Sequence, residues 1–342
     1  MLRVKEKLTK IVDESSLLRD LFTLYKCNSN RDFCHEIDRR AKVSIFDYKT
    51  LGKELFEYPY FYISDCNYYG LYHQLLSYAG LVPEDLSRLQ KHYFYIEHGL
   101  VLGSYANHYN LKKAKMITTM SQTRKLHIAN FVNDTPIHVI GPYIHYSSSL
   151  LSENEIMTLK ETLGRVLLVI PSHSIGSVTA QFDEQAFITA IREKSVGFDT
   201  VIVCLYWKDI DNGADNVYLK EGFKVSTAGH RDDLNFLPRL KSLLLLSSEV
   251  FTNNFGTHVA YGSSVGVPVS LYQQQINYKE IQYFKNNDDI LKNQENILSS
   301  GFAKKEIKAA LVHNDRAVLN QYFGLDQVKS QDEMRQILLS IK

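Results

Sequence analysis

The chain has 342 residues, of which 44% are hydrophobic and 23% charged, and its formal net charge is +1. This length exceeds one ordinary hydrophobic core, so two domains of about 150 residues each are expected, and the composition excludes an intrinsically disordered chain. The small net charge and the scattered basic residues predict no nucleic-acid partner.

The cysteines and the apolar runs predict a cytoplasmic protein. The chain holds four cysteines and no CxxC pair, which favours neither a zinc site nor a disulfide framework. Its N-terminal segment lacks the apolar run of a signal peptide, and no stretch approaches the roughly 20 apolar residues that span a bilayer. Any membrane contact is therefore expected to be peripheral, at the inner face of the membrane.

Short apolar strands alternate with helical segments through the first half of the chain. The predicted elements are helices over 17–25, 69–78 and 121–130, strands over 60–63, 93–96 and 116–120, and an apolar segment over 137–144. This alternation is typical of a parallel α/β sheet, whose ligands bind at the carboxyl ends of the strands. Asp65, Glu97 and His98 follow such strand ends, and each is a candidate general base. Helix capping and packing are the alternative roles.

A polar stretch over 145–163 separates this half from a second series of strands. We therefore predict an N-terminal domain of residues 1–145, a C-terminal domain of residues 146–325 and a final helix of residues 326–342. In the second half the predicted elements are strands over 165–170, 200–207, 224–227 and 250–252, a strand after 266–268, and helices over 183–194, 236–244, 290–298 and 307–311.

Polar clusters follow four strands of the second half. They are Ser172, His173 and Ser174; Lys208 and Asp209; Gly229, His230 and Arg231; and Thr252, Asn253, Asn254, Phe255, Gly256 and Thr257. The last cluster leads from a strand into a helix start, where free backbone N–H groups favour phosphate. Each cluster alone could serve as helix capping. A doubly wound sheet brings all four to one edge, which favours a nucleotide phosphate site.

Several enzyme classes and metal sites are not indicated. The P-loop GxxxxGK[ST], a GxGxxG after a first strand and the GxSxG elbow are absent from the sequence. His173, His230 and His258 lack the spacing of metal ligands, so no metal is expected.

Segments 95–99, 170–174, 228–232 and 252–261 resemble a known family, the GT-B glycosyltransferases of bacterial O-antigen, capsule and lipopolysaccharide biosynthesis. The resemblance implies an α/β fold with two Rossmann-like parallel-sheet domains that face each other across a cleft. The C-terminal domain would bind a nucleotide-sugar donor, and the N-terminal domain a glycan or lipid-linked glycan acceptor. It implies a glycosyltransferase of the EC 2.4 class that needs neither a metal nor another cofactor.

The resemblance also implies roles for individual residues. Glu97, His98 or Asp65 would act as the catalytic base on the acceptor hydroxyl. The donor contacts would come from Ser172, His173, Ser174, Gly229, His230, Arg231, Asn253, Asn254, Gly256 and Thr257. Because the second half lacks a clear E-x7-E pair, inverting chemistry is expected.

The nucleotide and the reaction are left open by the sequence. A CMP-activated keto-sugar such as Kdo or a nonulosonate is one donor compatible with this prediction. The first alternative is a nucleotide-sugar epimerase, or another group transferase that moves a pyruvyl or phospho group, on the same fold. The second alternative is a non-catalytic binding or assembly protein.

Overall fold

The computed structural model describes residues 15, 30–55, 68–82, 85, 94–106, 111, 114–174, 179–278 and 287–340. The helices are α1 (Asn30–Ala41), α2 (Tyr48–Leu51), α3 (Leu71–Tyr78), α4 (Gln122–Ala129), α5 (Glu153–Leu163), α6 (Glu184–Lys194), α7 (Trp207–Asp211), α8 (Asp215–Lys220), α9 (Phe236–Leu246), α10 (Thr257–Ser264), α11 (Asn287–His313), α12 (Arg316–Phe323) and α13 (Gln331–Leu339). The strands are β1 (Phe94–Ile96), β2 (Met116–Thr119), β3 (Ile137–Val139), β4 (Val166–Ile170), β5 (Ala180–Gln181), β6 (Thr200–Cys204), β7 (Lys224–Ser226), β8 (Glu249–Thr252), β9 (Val269–Leu271) and β10 (Asn277–Tyr278). A 3₁₀ turn spans Tyr143–Tyr146.

The second half of the chain forms a five-stranded parallel sheet with the order β7-β6-β4-β8-β9. Its central strand β4 is entirely buried and pairs with β6 on one side and β8 on the other. From β4 the chain first builds one side of the sheet and then crosses to the other, so the topological switch point lies between β4 and β8. Ile170 at the end of β4 pairs with Thr252 at the end of β8. The loops that leave these two strands therefore begin side by side.

The first half contributes a separate three-stranded parallel sheet with the order β1-β2-β3. Strands β1 and β2 are buried along their whole length, as short apolar strands between helices predict. The predicted fold class is confirmed as an α/β architecture with two parallel sheets, of which the second has the Rossmann-like strand order.

Segments near both ends of the chain pack on the opposite half. In the first segment, the Tyr48 hydroxyl donates to the Asp215 carboxylate of α8 (2.8 Å). Near the other end, α12 lies against α4 and α13 against α3, and the Tyr78 hydroxyl donates to the Lys329 carbonyl (3.0 Å). These contacts hold the two halves of the chain together. The predicted domain boundaries stay predictions.

Three stretches differ from the sequence-based expectation. The polar stretch over 145–163 contains helix α5, because Ser152 and Glu155 form a capping box in which each side chain accepts the other's backbone N–H. Strand β6 ends at Cys204 instead of continuing to residue 207, where α7 has already begun. The two separate helices predicted for the tail are one continuous helix, α11.

Some predictions lie outside the described residues, namely the helix over 17–25, the strand over 60–63 and the candidate base Asp65. In the part of the chain that the structure does describe, every helix is too short or too polar to cross a lipid bilayer.

Candidate functional site

A cleft of about 340 Å³ lies where the exit loops of β1, β4 and β8 meet. Its position at the switch point of the second sheet is where doubly wound folds bind ligands, and its size suits a small molecule. The titratable side chains of its described lining are three imidazoles, three phenols and one thiol, from His98, His173, His258, Tyr69, Tyr206, Tyr261 and Cys204. Since that described lining contains no carboxylate, acid–base chemistry in the cleft would depend on imidazole or phenol groups.

Helix α10 begins at the cleft without a side-chain cap. Its N-cap is Gly256, which is extended and makes no capping hydrogen bond. A Cβ atom at Gly256 would lie 2.7 Å from the His258 ring, so the position is crowded for any other residue. Asn254 and Thr257 also line the cleft here. Uncapped N–H groups at the positive end of a helix form a suitable site for an anion such as phosphate.

His258 packs behind this helix start. Its Nε2 shares a hydrogen bond with the Thr252 hydroxyl (2.9 Å). Burial lowers the pKa of His258 to about 3, and the nearby His173 acts in the same direction. The His258 imidazole is therefore neutral at physiological pH and adds no charge to an anion site.

The β4 and β8 exit loops are joined to each other by hydrogen bonds. The backbone N–H and the hydroxyl of Ser172 both donate to Asn253 Oδ1 (2.7 and 3.0 Å). The Nδ2 group of Asn253 donates to Gln274 Oε1 (3.0 Å). The Asn253 side chain is buried. We therefore assign Asn253 to bracing the two loops rather than to direct ligand contact.

His173 and Ser174 take different positions in the β4 exit loop. The His173 ring lines the cleft and stacks near Tyr206, with 4.6 Å between ring centroids. Ser174 is fully buried, and its N–H donates to both carboxylate oxygens of Asp209 (3.2 Å each). Burial raises the pKa of Asp209, although the Ser174 N–H opposes that shift. Of this pair, only His173 is placed to meet a ligand.

Thr257 connects the two halves of the chain across the cleft. Its hydroxyl accepts a hydrogen bond from the Leu100 backbone N–H (2.8 Å). Leu100 can approach because Gly99 has a φ of +84°, and a Cβ there would lie 3.5 Å from the Thr257 hydroxyl. This contact holds the β1 exit loop, in which His98 precedes Gly99 and lines the cleft, against the start of helix α10.

Glu97 points away from the cleft, although it is adjacent to His98 in sequence. Its buried carboxylate accepts hydrogen bonds from Arg124 Nε and Nη2 (2.6 to 3.0 Å) and from the Thr119 hydroxyl (2.8 Å). The same guanidinium donates from Nη1 to the Gly103 carbonyl in the β1 exit loop (2.9 Å). A carboxylate with these partners is poorly suited to remove a substrate proton, so we assign Glu97 to positioning the loop that carries His98.

The β7 exit loop is largely structural, in contrast to the predicted nucleotide contacts. Gly229 has a φ of +107°, and a Cβ there would lie 2.7 Å from the buried guanidinium of Arg239. The buried ring of His230 packs against the Trp207 ring at a tilt of 51°, with 4.3 Å between centroids, and its Nδ1 accepts the Asp232 N–H (3.2 Å). Neither Gly229 nor His230 is part of the cleft lining.

Arg231 lies close to the His98 side of the cleft. Its guanidinium carbon is 4.7 Å from the centroid of the Tyr68 ring, which in turn makes an edge contact with the His98 ring at 5.2 Å. About a third of the Arg231 side chain is exposed. Arg231 is therefore placed beside the cleft, where its charge could attract an anionic ligand.

Protonation of His230 should make stability fall in acid. Burial lowers the pKa of His230 from 6.5 to about 4, with a further contribution from the Arg231 charge. Between pH 6.5 and about pH 4, the His230 side chain would be protonated in the unfolded chain but not in the folded protein. The free energy of unfolding therefore has its full value above pH 6.5 and falls as the pH drops towards about 4. In this window, His230 alone should lower the free energy of unfolding by about 1.4 kcal/mol for each pH unit.

The measurement is urea unfolding of the wild type and of His230→Asn between about pH 7 and pH 4.5. The variant keeps an acceptor near the position of Nδ1 but cannot bind the proton, so its slope should be smaller by that amount. His313→Asn, at an exposed position, is the matched control. Equal slopes for the wild type and His230→Asn would contradict the assignment.

Tyr69 and Tyr206 are site residues that the sequence analysis missed. Tyr69 has a φ of +65°, which is rare for a residue with a side chain, and its backbone N–H donates to the Arg231 carbonyl (2.5 Å). Its hydroxyl is hydrogen-bonded to Tyr206 across the cleft, and burial raises the pKa of Tyr69 well above its ordinary value. The only sequence signal was the place of Tyr206 near the end of the predicted strand over 200–207.

Within the described ranges, no group of three or more His, Cys, Asp and Glu side chains could hold a metal ion. The expected independence of metals and cofactors stays a prediction.

No family model matches the sequence, and no curated protein matches it either. The solved structures that are similar to the chain include these two. One is the S. aureus MnaA–UDP co-structure, at 10% identity and a TM-score of 0.38, covering 79% of this chain and 78% of that one. The other is UDP-GlcNAc 2-epimerase from Neisseria meningitidis bound to UDP-GlcNAc, at 10% identity and a TM-score of 0.34, covering 72% of this chain and 67% of that one.

These comparisons correct the predicted enzyme class. The reaction named for the N. meningitidis structure is an epimerisation, and neither structure is described as a glycosyltransferase. The assignment to the EC 2.4 class is therefore abandoned, and the predicted roles of the individual residues stay predictions.

Proposed function

We propose that the cleft binds a nucleotide-sugar and that the protein is a nucleotide-sugar epimerase, which converts this substrate without a second one. The observation that supports the proposal most is the pairing of two features in one cleft. The uncapped start of α10 at Gly256 provides an anion site, and His98, which lines the same cleft, provides an acid–base group. A nucleotide-sugar needs both, since its phosphates require an anion site and its sugar carbon a base.

The phosphates would bind at the start of α10, beside Asn254 and Thr257. The nucleoside would then lie along the second sheet, where the rings of His173 and Tyr206 offer an aromatic surface. Arg231, at the edge of the cleft, would favour the approach of the anionic substrate.

The sugar would lie towards His98. No carbonyl adjoins C2 of the UDP-GlcNAc sugar to acidify its proton, so that proton can leave only as the C1–O bond to UDP breaks and a C1–C2 double bond forms. Return of a proton to the opposite face of C2, while UDP re-forms the C1–O bond, restores both bonds with no net change in composition. A histidine is suited to carry out one of these two proton transfers near neutral pH, and the other needs a group on the opposite face. The volume of about 340 Å³ lies at the lower end of the range for small-molecule sites.

A thermal-shift series with UDP, GDP, CMP, CDP and dTDP tests the nucleotide. UDP is the first probe because the two similar structures contain UDP or UDP-GlcNAc. A nucleotide present at about 100 times its dissociation constant should stabilise the folded protein by about 2.7 kcal/mol. If none of the five raises the unfolding temperature, the nucleotide site is wrong.

Incubation with UDP-GlcNAc alone in deuterated water tests the reaction. We expect NMR to show a second epimer and deuterium at the inverted carbon, because the proton on an imidazole exchanges with solvent. Binding without conversion would instead favour a group transferase that needs a co-substrate. A role in surface polysaccharide synthesis stays a prediction.

A further inference from the structure

Helix α11 carries an exposed apolar face. Ile297, Leu298 and Phe302 are 60%, 74% and 63% exposed. Leu298 and Phe302 are four residues apart, so they lie on the same side of the helix. Gly301 lies beside them, and a Cβ added there would meet nothing within 4 Å. Large apolar side chains concentrated on one open helix face mark an interaction surface.

The same helix is basic directly after these side chains. Lys304, Lys305 and Lys308 follow within two turns. Across residues 296–313 the one acidic residue is Glu306, and its carboxylate accepts a hydrogen bond from the Tyr322 hydroxyl of α12. Asp288, Asp289 and Glu295 precede this segment on α11, so the net positive charge is confined to the part of the helix from residue 296 onwards.

We propose that the α11 face, defined as Ile297, Leu298, Phe302 and Lys305, docks on a bilayer surface that contains anionic phospholipids. A helix that combines exposed apolar side chains with lysines lies in the membrane interface, where the apolar groups enter the headgroup boundary and the lysines meet anionic lipid. A second copy of this chain is the alternative occupant of this face, and the experiment below tests it.

Docking in this way would bring the bilayer close to the proposed substrate site. A side pocket of about 230 Å³ lies between α11 and the β1 exit loop, lined by Asn296, Ser300, Lys304 and Tyr105 among others. It shares Leu100, Val101 and Phe255 with the main cleft. Tyr105, whose ring is largely exposed, has its N–H bound to the Asn296 side chain (2.9 Å), and tyrosine is enriched at membrane interfaces.

Vesicle sedimentation of the full chain, without nucleotide, tests the proposal. The wild type should sediment with vesicles that contain phosphatidylglycerol and remain in solution with vesicles of pure phosphatidylcholine. The double variant Leu298→Ser/Phe302→Ser should lower the partition coefficient roughly tenfold or more, because it removes the apolar groups that enter the interface. Lys305→Glu should lower the partition coefficient by at least about fivefold. Added salt should weaken the binding of the wild type to these vesicles.

Val196→Ser is the matched control, because Val196 is 82% exposed and lies far from α11 in sequence. It should bind vesicles as the wild type does. The proposal is overturned if the wild type does not bind phosphatidylglycerol vesicles, or if the double variant binds as well as Val196→Ser. It is also overturned if light scattering shows that the wild type is a dimer and that the only effect of the double substitution is to dissociate this dimer into monomers.

Discussion

Replacing Arg124 by methionine should lower the free energy of unfolding by about 3–5 kcal/mol. Arg124 and Glu97 are 4% and 6% exposed, and their side chains are joined by three hydrogen bonds of 2.6 to 3.0 Å. The substitution leaves the Glu97 carboxylate buried without its cation, which costs far more than the pair itself contributes. Urea unfolding followed by circular dichroism measures the change.

Arg192→Met provides the control for this prediction. Arg192 is paired with Glu221 but its side chain is 60% exposed, so this substitution should cost less than about 1 kcal/mol. The double variant Glu97→Leu/Arg124→Met should recover part of the loss, because it removes both buried charges together. If Arg124→Met costs no more than Arg192→Met, the buried pair does not have the role assigned to it.

Replacing His98 by glutamine should slow the proposed epimerisation by about 10²- to 10⁴-fold, the range typical for the loss of a general base. The affinity for UDP should stay close to that of the wild type, since the proposed phosphate site is on α10 and not on the β1 exit loop that carries His98. Turnover of UDP-GlcNAc by NMR and the UDP-induced thermal shift measure the two effects separately.

His145→Gln is the matched control, because His145 is exposed and lies outside the cleft lining. It should leave both measurements unchanged. His173→Gln should instead reduce the UDP-induced thermal shift, because His173 lines the part of the cleft where we propose that the nucleotide binds. Full activity of His98→Gln would move the search for the base to Asp65.

Much of the secondary structure was predictable because its signals are local. The apolar run of β4 and the polar residues that follow it identified a buried strand and its exit. Ser121 and Asp183 were expected at helix starts, and both side chains accept a backbone N–H from the first turn of α4 and α6. The strand order and the position of the terminal helices carried no such local signal, because they depend on pairing between distant segments.

By itself, the sequence determined which residues come to the strand ends, because an apolar run followed by Gly, Ser, Asn or Thr specifies a strand and its exit wherever it occurs. Only the tertiary structure decided which of these side chains meet the cleft. Glu97 is held by Arg124, which lies 27 residues away, and Asn253 by Ser172, which lies 81 residues away. A buried polar group must find a partner, and that partner is supplied by whichever segment the fold brings beside it. His98, His173 and Gly256 therefore remain at the site, while Glu97, Gly229 and Asn253 support it.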